Sequence, residues 1–107
     1  MGDETVEAGE RRRLAAEWAP ALHALGQPER LLIALCLAGS EKSVRELQDD
    51  TGLGQSLVSY HLAGLRAAGL VTASPHGRSN RYQLCCADLD DLVRGLAGLA
   101  ATARAGQ

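Results

Sequence analysis

Apolar residues recur at three- and four-residue intervals along most of this 107-residue chain, and the rhythm breaks once, over a polar interval rich in turn formers near residue 75. Over residues 10–25, Leu14, Trp18, Leu22 and Leu25 fall on one face while Arg11, Arg12, Arg13 and Glu17 face water, which predicts an amphipathic helix. Pro20 lies inside that pattern and either kinks the helix or starts its second part. Pro28 then sits at a natural first helical position, with Glu29 in the first turn. It opens a helix through Leu31, Leu32, Leu35, Cys36 and Ala38 that Gly39 ends. Apolar side chains surround this second helix, so the pattern predicts that it is the buried centre.

Ser43 and Glu46 have the spacing of a capping box, and a short helix over 44–50 is expected behind them. Thr51-Gly-Leu-Gly breaks it. A further helix over 55–68 offers Leu57, Val58, His61, Leu62 and Leu65 as its inner side, and Gly69 stops it. Residues 70–74 and 81–84 have strand character, with Pro75-His-Gly-Arg-Ser-Asn between them as a polar turn that carries Arg78. From Ala87 a last helix shows Leu89, Leu92, Val93, Leu96, Leu99, Ala100 and Ala103 as one stripe. Asp88, Asp90 and Asp91 stand in its first turn, where they favour the helix dipole. The order predicts a mainly α fold with a small β hairpin, a winged helix-turn-helix over residues 10–104, preceded by an acidic flexible tail at 1–9.

Charge sharpens this picture. The net charge of −2 divides into −4 over residues 1–50, +3 over 51–84 and −1 over 85–107. Residues 51–84 hold Arg66, Arg78 and Arg81 with two histidines and no Asp or Glu, so an anionic partner is expected there despite the acidic whole. A B-DNA major groove about 12 Å wide accepts one helix while a two-stranded wing reaches the adjoining backbone. Gln55, Ser56, Ser59 and Tyr60 are then the candidates for base edges, and Arg45, Arg66, Arg78 and Arg81 for phosphates. For His61, on the inner side of its helix, packing is the expected role.

Other classes recede. No apolar run approaches the roughly 20 residues that cross a bilayer, and the start MGDETVEAGE is acidic where a secretory signal is basic and then apolar, so a cytoplasmic protein without membrane partners is expected. Three cysteines, Cys36, Cys85 and Cys86, suit neither a disulfide framework nor a four-cysteine zinc site. No glycine-rich phosphate cradle, His-Glu-x-x-His or base-oriented nucleophile occurs, and no enzymatic activity is expected.

The run Gln55-Ser-Leu-Val-Ser-Tyr-His-Leu-Ala-Gly-Leu-Arg-Ala-Ala-Gly-Leu-Val71, followed by Gly77-Arg-Ser-Asn-Arg-Tyr-Gln-Leu84, closely resembles the recognition helix and wing of the ArsR/SmtB family of bacterial metal- and thiol-responsive repressors. The resemblance extends over about residues 20–100. It implies a homodimer in which the first and last helices pack across a two-fold, through Leu14, Trp18, Leu22, Leu92, Leu96 and Leu99. A double-stranded operator with two-fold related half-sites is the implied partner. Gly95, Ala97, Gly98 and Ala101 leave room for close helix approach.

The resemblance also implies an effector, and here the chain departs from the family's better-known sites. The helix before the recognition turn has no Cys-x-Cys. Asp88-Leu-Asp90 replaces the Asp-x-His of the interface class, with Ala101 and Arg104 at the later positions. The favoured arrangement is a divalent ion, Ni(II) as in actinobacterial nickel-responsive members, or Zn(II) or Co(II), held by Cys85, Cys86, Asp88, Asp90 and a histidine such as His76 or His23. As(III) on the vicinal pair Cys85-Cys86 ranks behind it, because two thiolates need a third donor. Thiol oxidation at Cys36 or at that pair is a third reading, and a DNA-binding or protein-interaction adaptor without effector is the fourth.

Overall fold

Seven elements make up the computed structural model, which describes the backbone of residues 2–85 and 87–106 and the side chains of 8–85 and 89–106. They are α1 (Gly2–Leu25), α2 (Pro28–Leu37), α3 (Val44–Thr51), α4 (Gln55–Ala67), β1 (Val71–His76), β2 (Ser79–Leu84) and α5 (Ala87–Ala105).

The first helix starts earlier than its apolar rhythm predicts. It begins at Gly2 rather than Glu10, so the segment expected as a flexible tail is helical from Gly2 onward, and it runs through Pro20 without a break. Arg13 braces its outer face, pairing with Glu10 one turn back and with Glu17 at 2.7 Å one turn on. In α2, Pro28 takes the first-turn position as expected, but the helix is buried on one side only. Ile33, Ala34 and Leu37 face inward, whereas Leu31 and Leu32 are exposed and Leu35 is 66% exposed. The expectation of a fully buried centre fails because α1, α3, α4 and β2, the elements that touch α2, leave part of its circumference uncovered.

Both halves of the capping box form at α3. Ser43 Oγ accepts the Glu46 N–H at 3.1 Å, and Glu46 Oε1 accepts the Ser43 N–H at 3.0 Å. The helix ends at Gly52, whose φ of 76° is the left-handed cap that glycine takes without strain. Three residues later α4 begins, and its inward set is Val58, His61, Leu62 and Leu65, one side of a 3.6-residue period. Leu57, expected with them, lies on the flank and is half exposed.

The hairpin is longer than predicted. Val71 pairs with Leu84 at its root and His76 with Ser79 at its tip, leaving only Gly77 and Arg78 as the turn. Pro75 and Asn80, read from sequence as turn, face each other across the ladder. Both strands of a two-stranded sheet are edges, where proline is tolerated. The hairpin root is fastened to the helices by backbone: Lys42 N–H donates to Tyr82 O at 2.9 Å, Tyr82 N–H to Lys42 O at 2.8 Å, and Cys85 N–H to Leu70 O at 2.9 Å.

Ile33, Leu47, Val58, Leu62, Leu65 and Leu70 form the fully buried centre, so α2, α3, α4 and the hairpin root close around one core. Alpha-helix α5 contributes Leu92 to it. The radius of gyration is 17.0 Å, against roughly 13 Å for a compact chain near this length. Its extents of 58 × 26 × 20 Å reflect long outer helices standing off the core.

Candidate nucleic-acid interface

The alternation of buried and exposed positions along α4 builds the candidate interface. With Val58, His61, Leu62 and Leu65 fixed in the core, helical geometry turns Gln55, Ser56, Ser59 and Tyr60 outward, and all four are exposed, with Arg66 exposed nearly two turns beyond Ser59. Gly54 precedes α4 with no side-chain cap, so the N–H groups of the first turn are not taken up by a capping side chain. No carboxylate occurs between Thr51 and Leu84, so nothing acidic on α4 or the hairpin opposes a polyanion.

The arginines divide into two kinds. Arg78 stands exposed in the two-residue wing turn. Arg45 on α3 is 85% exposed and meets Asp49 only at 4.0 Å, a surface pair of little energetic weight. Arg81 is different. Its guanidinium donates to Glu46 Oε1 at 2.6 Å and to the Glu41 backbone carbonyl at 3.1 Å, and lies 3.5 Å from the Glu41 carboxylate, with its side chain 26% exposed. Its charge is therefore matched within the chain. Beside it, Lys42 Nζ pairs with Asp50 at 2.7 Å.

Glu46 thus serves two ends, capping α3 and holding the wing. The Ser43 backbone N–H, and after it Arg81, keep its carboxyl below the ordinary glutamate value. A depressed carboxyl stabilises the fold above its unfolded pKa, about 4.3, and that contribution is lost as pH falls through the lower folded value. The thermal midpoint of the wild type is expected to drop more steeply than that of Glu46→Gln between about pH 5 and pH 3. Parallel curves would separate Glu46 from acid sensitivity.

The candidate metal donors are not gathered. His76 is at the hairpin tip and Cys85 one residue past its root, six steps along the strand, which at a rise near 3.3 Å is about 20 Å. His76 therefore does not join Cys85 within one protomer, as a shared ligand set requires. Cys86 lies outside the described residues, as does the side chain of Asp88. Among the described residues no group of three His, Cys, Asp or Glu is placed to hold a metal, so one protomer's described donors do not fit an ion site. Cys36 and Cys85 are both half-buried.

For the outer helices, Leu14 and Trp18 are half-buried and Leu22, Leu96 and Leu99 exposed, with Val93 exposed beside them. Leu92, expected at a dimer face, is instead spent in the protomer's own core at 3% exposure. The Trp18 ring fills the space that a side chain at Gly95 would need: an added Cβ would stand 2.6 Å from Trp18 Cη2.

Two contacts escaped the sequence reading. One is the Glu41–Glu46–Arg81 link, which joins residues 35 and more positions apart. The other is Arg30 against α4, for which Gly64 in mid-helix is the readable sign, since glycine inside a helix often marks a close approach.

A short helix, a sharp turn, a second helix with a polar outer row and a fastened two-stranded wing define a winged helix-turn-helix. The family model for the bacterial regulatory proteins of the arsR family matches residues 27–73, which run from the start of α2 into β1. The HTH-type transcriptional repressor SmtB of Mycobacterium tuberculosis is 42% identical over 86 residues, covering 80% of this chain and 60% of its own length. A biofilm growth-associated repressor of Xylella fastidiosa is 34% identical over 99 residues, covering 90% of this chain and 87% of the repressor. Among solved structures, the homodimeric winged helix-turn-helix DNA-binding domain of a possible ArsR-family regulator from Mycobacterium bovis superposes with a TM-score of 0.67 at 28% identity, over 88% of this chain and 84% of that one. The chain belongs to the arsR family of bacterial regulatory proteins. No helix among the described residues is long and apolar enough to cross a membrane.

Proposed function

We propose that this protein is a dimeric, DNA-binding transcriptional repressor in which α4 reads base edges and the wing grips the neighbouring backbone. The observation that carries the reading is the two-sidedness of α4: its inner side is core and its outer side a polar row without a single carboxylate. The repressor names of the relatives support it, as does the homodimeric state of the Mycobacterium bovis domain. The exposed leucines of α1 and α5 support dimerisation, in which two copies of α4 would meet the half-sites of one operator. Arg66, Arg78 and Arg45 are the backbone anchors, while Arg81 orients the wing.

The finer reading is that an effector ion weakens operator binding, Ni(II) first among divalent ions with Zn(II) and Co(II), and As(III) behind. It rests on Cys85, Cys86, Asp88 and Asp90 with a histidine, His76 or His23, from elsewhere in the dimer, since the described residues of one protomer alone do not supply a site.

One series of measurements tests both levels: anisotropy of a duplex enriched by the wild type from a random pool, and of a random duplex of equal length, across a salt range. Salt-sensitive binding is expected, and Arg78→Ala is expected to lower the slope of log K against log salt by about one on both duplexes. Arg81→Ala is expected to lower wild-type affinity without that loss of slope. A wild type that binds neither duplex overturns the repressor reading. Adding NiCl2, ZnCl2, CoCl2 or arsenite to the reduced protein should then change affinity at least about tenfold, a coupling near 1.4 kcal/mol. No saturable change for any of them, with DNA binding intact, favours the adaptor.

A further inference from the structure

We infer that Arg30 of α2 is a positioning residue that fixes the roll of α4 about its own axis, and so sets whether the base-reading side chains meet their bases. Arg30 touches α4 at three places within little more than one turn. Its Nε–H donates to His61 Nδ1 at 3.3 Å. Its Cζ stands 5.7 Å from the centroid of the Tyr60 ring. The guanidinium also lies in the notch left by the missing side chain of Gly64, where an added Cβ would fall 2.6 Å from Nη2 and 2.8 Å from Nε. Tyr60 and His61 are locked to each other as well, their rings edge to face at 5.1 Å.

These contacts differ in kind from the rest of the α4 packing. Val58, Leu62 and Leu65 hold the helix against the core by apolar burial, which is non-directional and tolerates small rotations. A planar guanidinium seated in a notch, donating to one ring and placed over the face of another in a cation–π contact, does not. Tyr60 and Ser59 belong to the outward row and His61, 5% exposed, to the core, so the fork joins the reading side of α4 to its buried side. Functional groups must be held within about 0.5 Å and 10–20° to act, and side chains that meet base edges are held to such limits where phosphate contacts are not. The acceptor role of His61 Nδ1 leaves its ring proton on Nε2.

This inference rests on α4 being the base-reading helix, and the experiment separates the two. Arg30→Gln and Gly64→Ala are compared with wild type on the enriched and random duplexes. The second variant keeps the arginine and raises helix propensity while its methyl group displaces the guanidinium, so it remains informative if Arg30→Gln folds poorly. Each is expected to lose about tenfold on the enriched duplex and to stay within about twofold on the random one, with the salt slope unchanged. In both, the His61 Nδ1 resonance in 15N spectra should shift from its wild-type position. A slope lowered by about one on both duplexes in Arg30→Gln would make Arg30 a phosphate contact and overturn the proposal. So would wild-type affinity in both variants, or losses on both duplexes in proportion to the unfolded fraction measured by circular dichroism. Ser56→Ala/Ser59→Ala is the control. If it leaves the preference for the enriched duplex intact, the α4 reading itself fails. If it abolishes the preference while the Arg30 and Gly64 variants bind normally, only the positioning role is lost.

Discussion

Leu65→Ala is expected to destabilise the domain by about 2–5 kcal/mol, the largest effect of any single replacement considered. Leu65 is fully buried on the inner side of α4, within the core that α2, α3 and the hairpin root share. Removing its branched end leaves a void lined by residues from several elements, so no one helix can slide in to fill it. Domains of this size hold roughly 5–15 kcal/mol in all, and a loss at the upper end would unfold a substantial fraction at growth temperature. Urea denaturation at fixed protein concentration measures it, as a lower midpoint with an unchanged m-value. A loss under about 1 kcal/mol would mean that the core collapses around the gap and is less tightly packed than the structure shows.

The second large effect is a reversal of sign between two glycines of α5. Gly→Ala inside a helix ordinarily stabilises by roughly 1 kcal/mol. Among the described residues Gly98 has nothing within 4 Å of an added Cβ, and Gly98→Ala should gain about that amount. At Gly95 the added methyl enters the Trp18 ring, and overpacking of this kind costs about 1–3 kcal/mol, which outweighs the gain. Gly95→Ala is therefore expected to lower the thermal midpoint and Gly98→Ala to raise it. The tryptophan fluorescence of Gly95→Ala should also shift, because Trp18 must leave its place on α5. A stabilised Gly95→Ala would show that the ring moves freely, and a destabilised Gly98→Ala would put the partner's helix against that position.

What the sequence made legible was local and periodic. The Ser43–Glu46 box, Pro28 at the head of α2 and the inward set Val58, His61, Leu62 and Leu65 depend on neighbours within one or two turns, and all appear as read. Long-range pairing was not legible. Arg81 looked like any wing arginine because its partners Glu41 and Glu46 lie 35 or more positions away. The exposed face of α2 was misread for a related reason: an apolar surface in sequence does not say whether its own chain covers it. The turn over 75–80 was overextended because Pro75 and Asn80 carry turn chemistry that an edge strand also tolerates. Of the candidate interface, the outward row of α4 and the placement of Arg78 were legible. The division of labour between Arg78 and Arg81 was not, and Arg30 was signalled only by Gly64.

The double backbone link between Lys42 and Tyr82, with the Arg81 fork beside it, has a mechanical consequence. In the proposed DNA complex, a prong clamped at its base would not lengthen or shorten its reach to suit each duplex, so the distance from groove to flanking strand would be a property of the protein. Duplexes would then have to conform to that caliper, and stiff tracts whose groove width does not match would be penalised even where no side chain touches a base.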